Sequence, residues 1–202
     1  MNYTIEYYKK NARLLAKRYE SANVSKVQKL LLEVFPKKSY LLEIGCGSGR
    51  DASFMIDNNY KILGIDASRE MIDEAKNIHP LLDNLLQVAI IPNELSFDNN
   101  SFDGIYSIAT LMHLEKDDIE ITINKIYSYL KAKGIFLFSV SIQRDDIDSN
   151  HKDIKGRHFT TINQDDWLHI CHTTGFKTIR TTTTNDGLNR DGIIWLTCIM
   201  EK

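Results

Sequence analysis

The chain lacks the features of an exported or membrane-inserted protein. It contains no uninterrupted apolar run of about 18 residues, the length that a membrane-spanning helix needs, and no apolar signal core follows Met1. Its three cysteines, Cys46, Cys171 and Cys198, are odd in number and far apart. They therefore suggest neither a disulfide framework nor a paired metal-ligand motif. These absences predict a soluble, cytoplasmic protein without a bound metal.

An excess of positive charge is also missing. The 25 Lys and Arg residues nearly balance the 27 Asp and Glu residues, which leaves a formal net charge of -2. No large positive field is available to hold a nucleic-acid backbone, so nucleic acid is not the expected partner. A chain of 202 residues suits one hydrophobic core. We therefore expect a single domain, as a monomer or a homodimer.

Short apolar runs alternate with amphipathic stretches through the middle of the chain. The stretches predict helices, one of them capped by Ser68 after Asp66, and Gly134 is predicted to end the helix before the fifth run. The apolar runs predict buried strands at 40–44, 61–65, 85–91, 102–108 and 135–140. Strands that alternate with helices are typical of a doubly wound α/β sheet.

Further elements are predicted at both ends of the chain. Apolar residues at steps of three and four predict a helix over the first twenty residues, and Ser25 with Gln28 forms a capping box that starts a second helix. Asn163 predicts the start of a last helix that ends at Gly175. Two strands follow, at 176–184 and 193–200, joined by the turn-rich residues 185–192. We therefore predict a mostly parallel seven-stranded sheet that ends in an antiparallel hairpin.

Four functional parts are expected within this single domain. The N-terminal helices, residues 1–36, form a lid, and residues 37–140 form the cofactor-binding core. The polar segment 141–162 is too long for an ordinary connection, which predicts a substrate loop. Residues 163–202 supply the last helix and the hairpin.

A glycine-rich segment follows the first predicted strand. Gly45, Gly47 and Gly49 allow the backbone to bend sharply and approach a ligand, while the amides of the next helix face a negative group. Asp66 ends the second strand 21 residues after Gly45 (66 minus 45), a spacing typical of an acidic side chain that binds a ribose. The sequence therefore predicts a nucleoside-like ligand with an anion or a carboxylate.

The glycine spacing separates two cofactor classes. A dinucleotide-binding G-x-G-x-x-G motif would need glycine at position 50, which is Arg50. The G-x-G-x-G run, preceded by Glu43, resembles the first motif of the class I S-adenosylmethionine-dependent methyltransferases. The resemblance extends from about Tyr7 to the C-terminus and includes residues 102–105, 111–114 and 175–176. It implies a Rossmann-like methyltransferase fold with S-adenosylmethionine as the cofactor.

The resemblance also implies a set of cofactor-binding residues. The glycine segment would line the methionine part, Glu43 would help to hold its ammonium group, and Asp66 would bind the ribose. An acidic residue that usually meets the adenine is replaced by Ile90-Ile91-Pro92-Asn93, which leaves backbone groups for that role. The full predicted set is Tyr19, Glu43, Gly45, Cys46, Gly47, Gly49, Arg50, Asp66, Ala67, Met71, Ile91, Pro92 and Ile108.

Three residues are candidates for the chemistry. Methyl transfer depends mainly on alignment of the acceptor with the activated carbon, so a base is optional. His113 is a candidate general base or, alternatively, a residue that shapes the pocket. Tyr8, together with Tyr19, could cover the cofactor or simply belong to a packed stripe. Arg157 could bind an acidic substrate or be a solvated surface residue.

The leading hypothesis is methylation of an oxygen or nitrogen atom of a small molecule, because no appended recognition domain is evident. Residues 107–110 lack the Asn/Asp-Pro-Pro-aromatic motif of enzymes that methylate DNA amino groups. Methylation of protein or RNA remains an alternative, as does a non-catalytic nucleoside-binding module. A nucleotide-dependent oxidoreductase is disfavoured by Arg50. A metal site at His169 and His172 is disfavoured because no second ligand cluster accompanies them.

Overall fold

One seven-stranded sheet organises the chain. A computed structural model describes residues 3–187 and 190–202. The strands are β1 Tyr40–Ile44, β2 Lys61–Asp66, β3 Leu86–Val88, β4 Phe102–Ile108, β5 Leu130–Arg144, β6 Lys177–Asn185 and β7 Ile193–Glu201. Their order in the sheet is β3-β2-β1-β4-β5-β7-β6, with β1 to β5 parallel and β7 antiparallel to both of its neighbours. The predicted fold class and the C-terminal hairpin are confirmed.

Helices cover both faces of the sheet. They are α1 Tyr3–Ser21, α2 Ser25–Val34, α3 Arg50–Asp57, α4 Arg69–Ile78, α5 Lys116–Tyr129 and α6 Gln164–Thr174. One buried cluster packs Trp167 of α6 against Phe136 and Phe138 of β5. A second cluster packs Met55 of α3 near Leu41 on the opposite side. Two buried layers on one sheet are what a doubly wound architecture requires.

Local capping signals fix several helix ends as predicted. The Ser68 hydroxyl accepts a hydrogen bond from the Met71 amide at 3.2 Å, and the Asn163 side chain accepts one from the Asp166 amide at 2.9 Å. Gly175 ends α6 with a φ of 115°, and a Cβ there would lie 2.9 Å from the Tyr127 hydroxyl. These signals depend only on neighbouring residues, which is why the sequence reveals them.

Two predicted signals for helix ends are wrong, although the helices begin and end close to the predicted positions. Ser25 is the first residue of α2 rather than its cap: its hydroxyl donates to the Asn23 side chain at 2.9 Å, and Gln28 reaches Asp51 at 3.5 Å instead of closing a capping box. Gly134 does not end α5, because the chain becomes extended at Leu130 and enters β5 directly. Gly134 lies at the irregular start of β5, where a Cβ would lie 2.8 Å from the Lys131 carbonyl.

The third strand is shorter than the predicted 85–91. The Ala89 amide makes the last bond to β2, at 3.0 Å to the Asp66 carbonyl. The next amide, that of Ile90, donates to the Glu94 carboxylate at 2.8 Å and leaves the sheet. In the predicted hairpin turn, residues 188 and 189 lie outside the described residues. Within the described part of the chain, no helix is long and apolar enough to span a membrane.

Candidate functional site

A cleft opens where the parallel strands end. Its volume is about 1370 Å³, and its walls come from the ends of β1, β2 and β4, from α1 and from the hairpin. Of the residues predicted to bind cofactor, Gly49, Met71 and Pro92 do not line this cleft. Those that do are Tyr19, Glu43, Gly45, Cys46, Gly47, Arg50, Asp66, Ala67, Ile91 and Ile108.

The turn after β1 requires glycine for steric reasons. Gly45, Gly47 and Gly49 have φ values of 79°, 53° and 77°, a region that disfavours side chains. A Cβ on Gly45 would overlap the Thr110 side chain, and one on Gly49 would lie 2.6 Å from Leu82. We refer to the turn at residues 45–49 as the glycine cradle. Its backbone is accessible from the cleft because these glycines have no side chains.

Asp66 lies beside this cradle. One of its carboxylate oxygens accepts a hydrogen bond from the Gly47 amide at 3.0 Å, and the other accepts one from the Ser68 amide at 2.9 Å. Burial raises the pKa of Asp66, while these backbone bonds act in the opposite direction. The bonds orient the carboxylate at the cleft wall and leave lone pairs for ligand hydroxyl groups.

Glu43 forms the floor of the cleft. Its side chain is 4 % exposed and accepts a hydrogen bond from the Tyr106 hydroxyl at 3.1 Å. Burial, followed by the nearby Asp51 carboxylate, raises the pKa of Glu43 well above its usual value. A cation placed beside this buried acid would relieve that penalty.

Arg50 joins α3 to the end of α1. Its guanidinium group donates to both oxygens of Asp51, at 3.1 and 2.8 Å, and to the Tyr19 carbonyl at 2.7 Å. Close by, the Ser48 hydroxyl donates to Glu20 at 2.6 Å. These bonds hold α1 across the cleft, a positioning function that the sequence does not reveal.

The side of α1 that faces the cleft carries three tyrosines, Tyr7, Tyr8 and Tyr19. The ring of Tyr19 lies 3.7 Å from where a Cβ of Gly47 would be. Burial, and then the neighbouring Tyr8 hydroxyl, raises the pKa of Tyr19. Met71 is fully buried beneath α1 against Ala12 and Leu15. Its place in the α1 interface explains why it is absent from the cleft lining.

His113 follows β4 in a single helical turn, at the other end of the cleft. Its Nδ1 lies 2.7 Å from the His158 carbonyl oxygen, which can only accept, so Nδ1 carries the proton. The Nε2 atom is left as an acceptor and lies 3.3 Å from the Tyr8 hydroxyl. Burial lowers the pKa of His113 to about 4, and the Arg157 and Arg144 charges act in the same direction. At neutral pH the ring is therefore an uncharged base with a fixed tautomer.

Arg157 lies in the cleft and is not a solvated surface residue. Its side chain is 16 % exposed, and its Nε and Nη2 atoms both donate to one oxygen of Asp153, at 2.9 and 2.6 Å. The other oxygen of Asp153 accepts from the amides of Lys155 and Arg157. This network fixes the polar loop at the cleft wall.

Arg144 and Arg190 also lie in the cleft wall and were not predicted. Arg144 ends β5, with its side chain only 2 % exposed, and donates two hydrogen bonds to Asp146, at 2.9 and 2.6 Å. Arg190 forms a similar pair with Asp186, at 3.0 and 2.7 Å. The position of Arg144 at the carboxyl end of a predicted strand was a usable signal, whereas Arg190 is placed by the tertiary fold of the hairpin.

The candidate metal ligands His169 and His172 do not line the cleft. His172 Nε2 lies within hydrogen-bond distance of the Thr178 hydroxyl, at 2.8 Å, on the far side of α6. In residues 3–187 and 190–202, no three His, Cys, Asp or Glu side chains gather where they could hold a metal ion.

The fold and the site together define a protein class. A seven-stranded sheet with an inserted antiparallel β7, a glycine turn after β1 and an acidic residue at the end of β2 are the features of class I S-adenosylmethionine-dependent methyltransferases. The model of the family described as "Methyltransferase domain" matches residues 14–181. The chain therefore belongs to this methyltransferase family, whose cofactor is S-adenosylmethionine.

Known proteins show the same relationship. The ubiquinone biosynthesis O-methyltransferase of Pelagibacter ubique is 31 % identical over 124 residues, which are 60 % of this chain and 50 % of that protein. The 18S rRNA (guanine-N(7))-methyltransferase of Bos taurus is 30 % identical over 115 residues, 53 % of this chain and 37 % of that protein. The chain spans about half the length of the curated relatives it matches.

A solved structure supports the fold independently. The Burkholderia thailandensis 1,6-didemethyltoxoflavin-N1-methyltransferase, with bound 1,6-didemethyltoxoflavin and S-adenosylhomocysteine, superposes with a TM-score of 0.74. The match covers 99 % of this chain and 87 % of that one at 15 % identity. At this identity the likeness concerns the fold alone.

Proposed function

We propose that this chain transfers a methyl group from S-adenosylmethionine to an oxygen or nitrogen atom of a small molecule. The observation that carries the proposal is a single cleft that joins two groups. The glycine cradle and Asp66 lie at one end, and Nε2 of His113, which can take up a proton, lies at the other. A cofactor site and a proton acceptor in one enclosed space are what an acid–base-assisted transfer needs.

The residues of the cleft fit this cofactor. Glu43 is a buried acid that a ligand ammonium group would neutralise, and Asp66 offers oriented oxygens to ribose hydroxyls. The bare backbone of the cradle admits the amino-acid part without steric overlap. When bound, S-adenosylmethionine supplies a methyl group on a positively charged sulfur, which passes to the acceptor and leaves S-adenosylhomocysteine.

His113 acts as the general base in this proposal. The His158 carbonyl keeps the proton on Nδ1, so the Nε2 lone pair faces the cleft and can take a proton from an acceptor hydroxyl or amine. The Tyr8 hydroxyl at 3.3 Å marks the place where such a group would bind. The uncharged ring is available at neutral pH because its pKa is about 4.

The other predicted parts act around this centre. The N-terminal helices α1 and α2 are the lid predicted at residues 1–36, of which residues 1 and 2 lie outside the described residues. Arg50 and Ser48 hold α1 on the cradle. The substrate loop, predicted at residues 141–162, is the part of that segment after Arg144, where β5 ends. The His158 amide joins it to α1 by donating to the Thr4 hydroxyl at 2.8 Å. Arg157 of this loop binds the acidic group of an acceptor.

Calorimetric titration tests the proposal. The purified protein is titrated with S-adenosylmethionine, S-adenosylhomocysteine and NAD, beside an Asp66→Ala variant and a control, Asp73→Ala, that removes an exposed acid from α4. We expect both adenosyl ligands to bind, the Asp66 variant to lose about tenfold or more in affinity, and the control to match the parent. Binding of NAD alone would overturn the proposal. Binding of the adenosyl ligands without turnover of any acceptor would favour a non-catalytic module.

A further inference from the structure

The end of the cleft beyond His113 carries an unusual set of charges. Among the described residues, three arginine–aspartate pairs line it: Arg144 with Asp146, Arg157 with Asp153, and Arg190 with Asp186. The pairs come from the end of β5, from the polar loop and from the hairpin. We refer to Arg144, Arg157 and Arg190 as the arginine cluster.

Two members of the cluster lie beside one aromatic ring. The guanidinium carbon of Arg144 lies 3.8 Å from the centre of the Phe159 ring, and that of Arg157 lies 5.1 Å from it. The His113 ring centre is 4.5 Å from the same ring. These two guanidinium groups therefore lie near the proposed base, in the wall of the cleft.

The third arginine belongs to the same electrostatic group. Asp186 is the main cause of the raised pKa of Arg190, but Asp146 contributes and Arg157 opposes it. Arg190 is thus close enough to interact with Asp146, the partner of Arg144, and with Arg157 itself. Holding three guanidinium groups together costs repulsion that a bound anion would relieve.

The aspartates of the three pairs also interact with other partners or with water. Asp153 is engaged by the backbone amides of its own loop, and Asp186 also accepts from the Trp195 indole at 2.9 Å. The Asp146 side chain is 44 % exposed, so water screens its charge, whereas its partner Arg144 is 2 % exposed. Burial is the main cause of the low pKa of His113; the Arg157 and Arg144 charges lower this pKa further, while Asp153 opposes them.

Hydrogen-bond donors remain for a ligand. A guanidinium group has five N–H donors, and each cluster member pairs with its aspartate through Nε and Nη2. For Arg144 and Arg190, Nη1 makes no hydrogen bond to any other part of the chain that the structure describes. Planar, paired donors are suited to a carboxylate.

We infer that the methyl acceptor is a small organic acid whose carboxylate binds the arginine cluster while its hydroxyl or amine faces Nε2 of His113. This inference rests on the proposed function and adds the chemical class of the acceptor. Trp195, which is partly exposed at the cleft wall, supplies apolar surface for the rest of such a molecule.

The experiment compares acids with uncharged molecules of the same shape. The protein, saturated with S-adenosylhomocysteine, is titrated with 4-hydroxybenzoate, glycolate and 3-hydroxybutyrate, each beside its amide. We expect at least one acid to bind about tenfold or more tightly than its amide. The variants Arg157→Gln and Arg190→Gln should lose that preference, and Arg69→Gln, an exposed arginine outside the cleft, should keep it.

A second variant guards against simple misfolding. Because Asp186 is buried, Arg190→Gln removes the cationic partner of a buried acid, so the double variant Asp186→Asn with Arg190→Gln is measured as well, with its melting temperature. If this double variant melts near the parent and has lost the preference for the acid, the inference holds. If no acid binds, if the amides bind equally well, or if a folded double variant retains the preference, it is wrong. Failure of S-adenosylhomocysteine itself to bind would instead count against the proposed function.

Discussion

The chemistry proposed for His113 depends on a single proton position. Its ordinary pKa of 6.5 falls to about 4 mainly because burial disfavours the charged ring. The backbone carbonyl of His158 accepts a hydrogen bond from Nδ1 and so fixes the proton on that nitrogen. His113 is a candidate from the sequence alone, but its tautomer depends on a loop 45 residues further along the chain.

This shift predicts how stability depends on pH. The folded protein binds a proton on His113 more weakly than the unfolded chain does. Above pH 6.5 this difference costs no stability, and the free energy of unfolding falls as the pH decreases from 6.5 toward 4. His113→Asn, which can keep a donor for the His158 carbonyl, should show a smaller fall in melting temperature over this range. Thermal melts from pH 7 to pH 4 measure it, with the exposed His169→Asn as control. Parallel curves for the parent and His113→Asn would contradict the assignment.

At the scale of the element, the glycine turn shows what the sequence can and cannot reveal. The predicted strands, the Ser68 and Asn163 caps and the cradle were found because each depends on residues close in the chain. The capping box at Ser25 failed because Gln28 has a tertiary partner, Asp51. The arginine cluster was mostly missed since its members come from three separate segments.

The turn itself supports a matched prediction. Gly45 and Gly156 have nearly the same φ, 79° and 78°, but a Cβ on Gly45 would overlap Thr110, whereas one on Gly156 would meet nothing within 4 Å. Gly156→Ala should therefore lose about 1 to 2 kcal/mol of unfolding free energy for conformation alone. Gly45→Ala should lose about 1 to 3 kcal/mol more of unfolding free energy through overpacking. It should also lose the ability to bind adenosyl ligands. Urea unfolding of both variants measures the difference, and equal losses would refute the steric account.

At the scale of the whole molecule, α1 connects the two ends of the cleft. Its C-terminal residues meet the cradle through Tyr19 and Glu20, and its N-terminal residue Thr4 accepts a hydrogen bond from the His158 amide. His158 in turn holds His113. A ligand that orders α1 at the cradle should therefore also order the loop around His158.

Hydrogen exchange can detect this connection without an acceptor. We expect saturating S-adenosylhomocysteine to slow amide exchange both at the cradle and in residues 153–159, by about fivefold or more in the loop. Thr4→Val removes the hydroxyl that accepts from the His158 amide, so its loop protection should fall while cradle protection and ligand affinity stay unchanged. Peptides from α6, which does not contribute to the cleft lining, serve as the internal control. Equal loop protection in the parent and in Thr4→Val would contradict this prediction. The loop would then be ordered without the contact between Thr4 of α1 and the His158 amide.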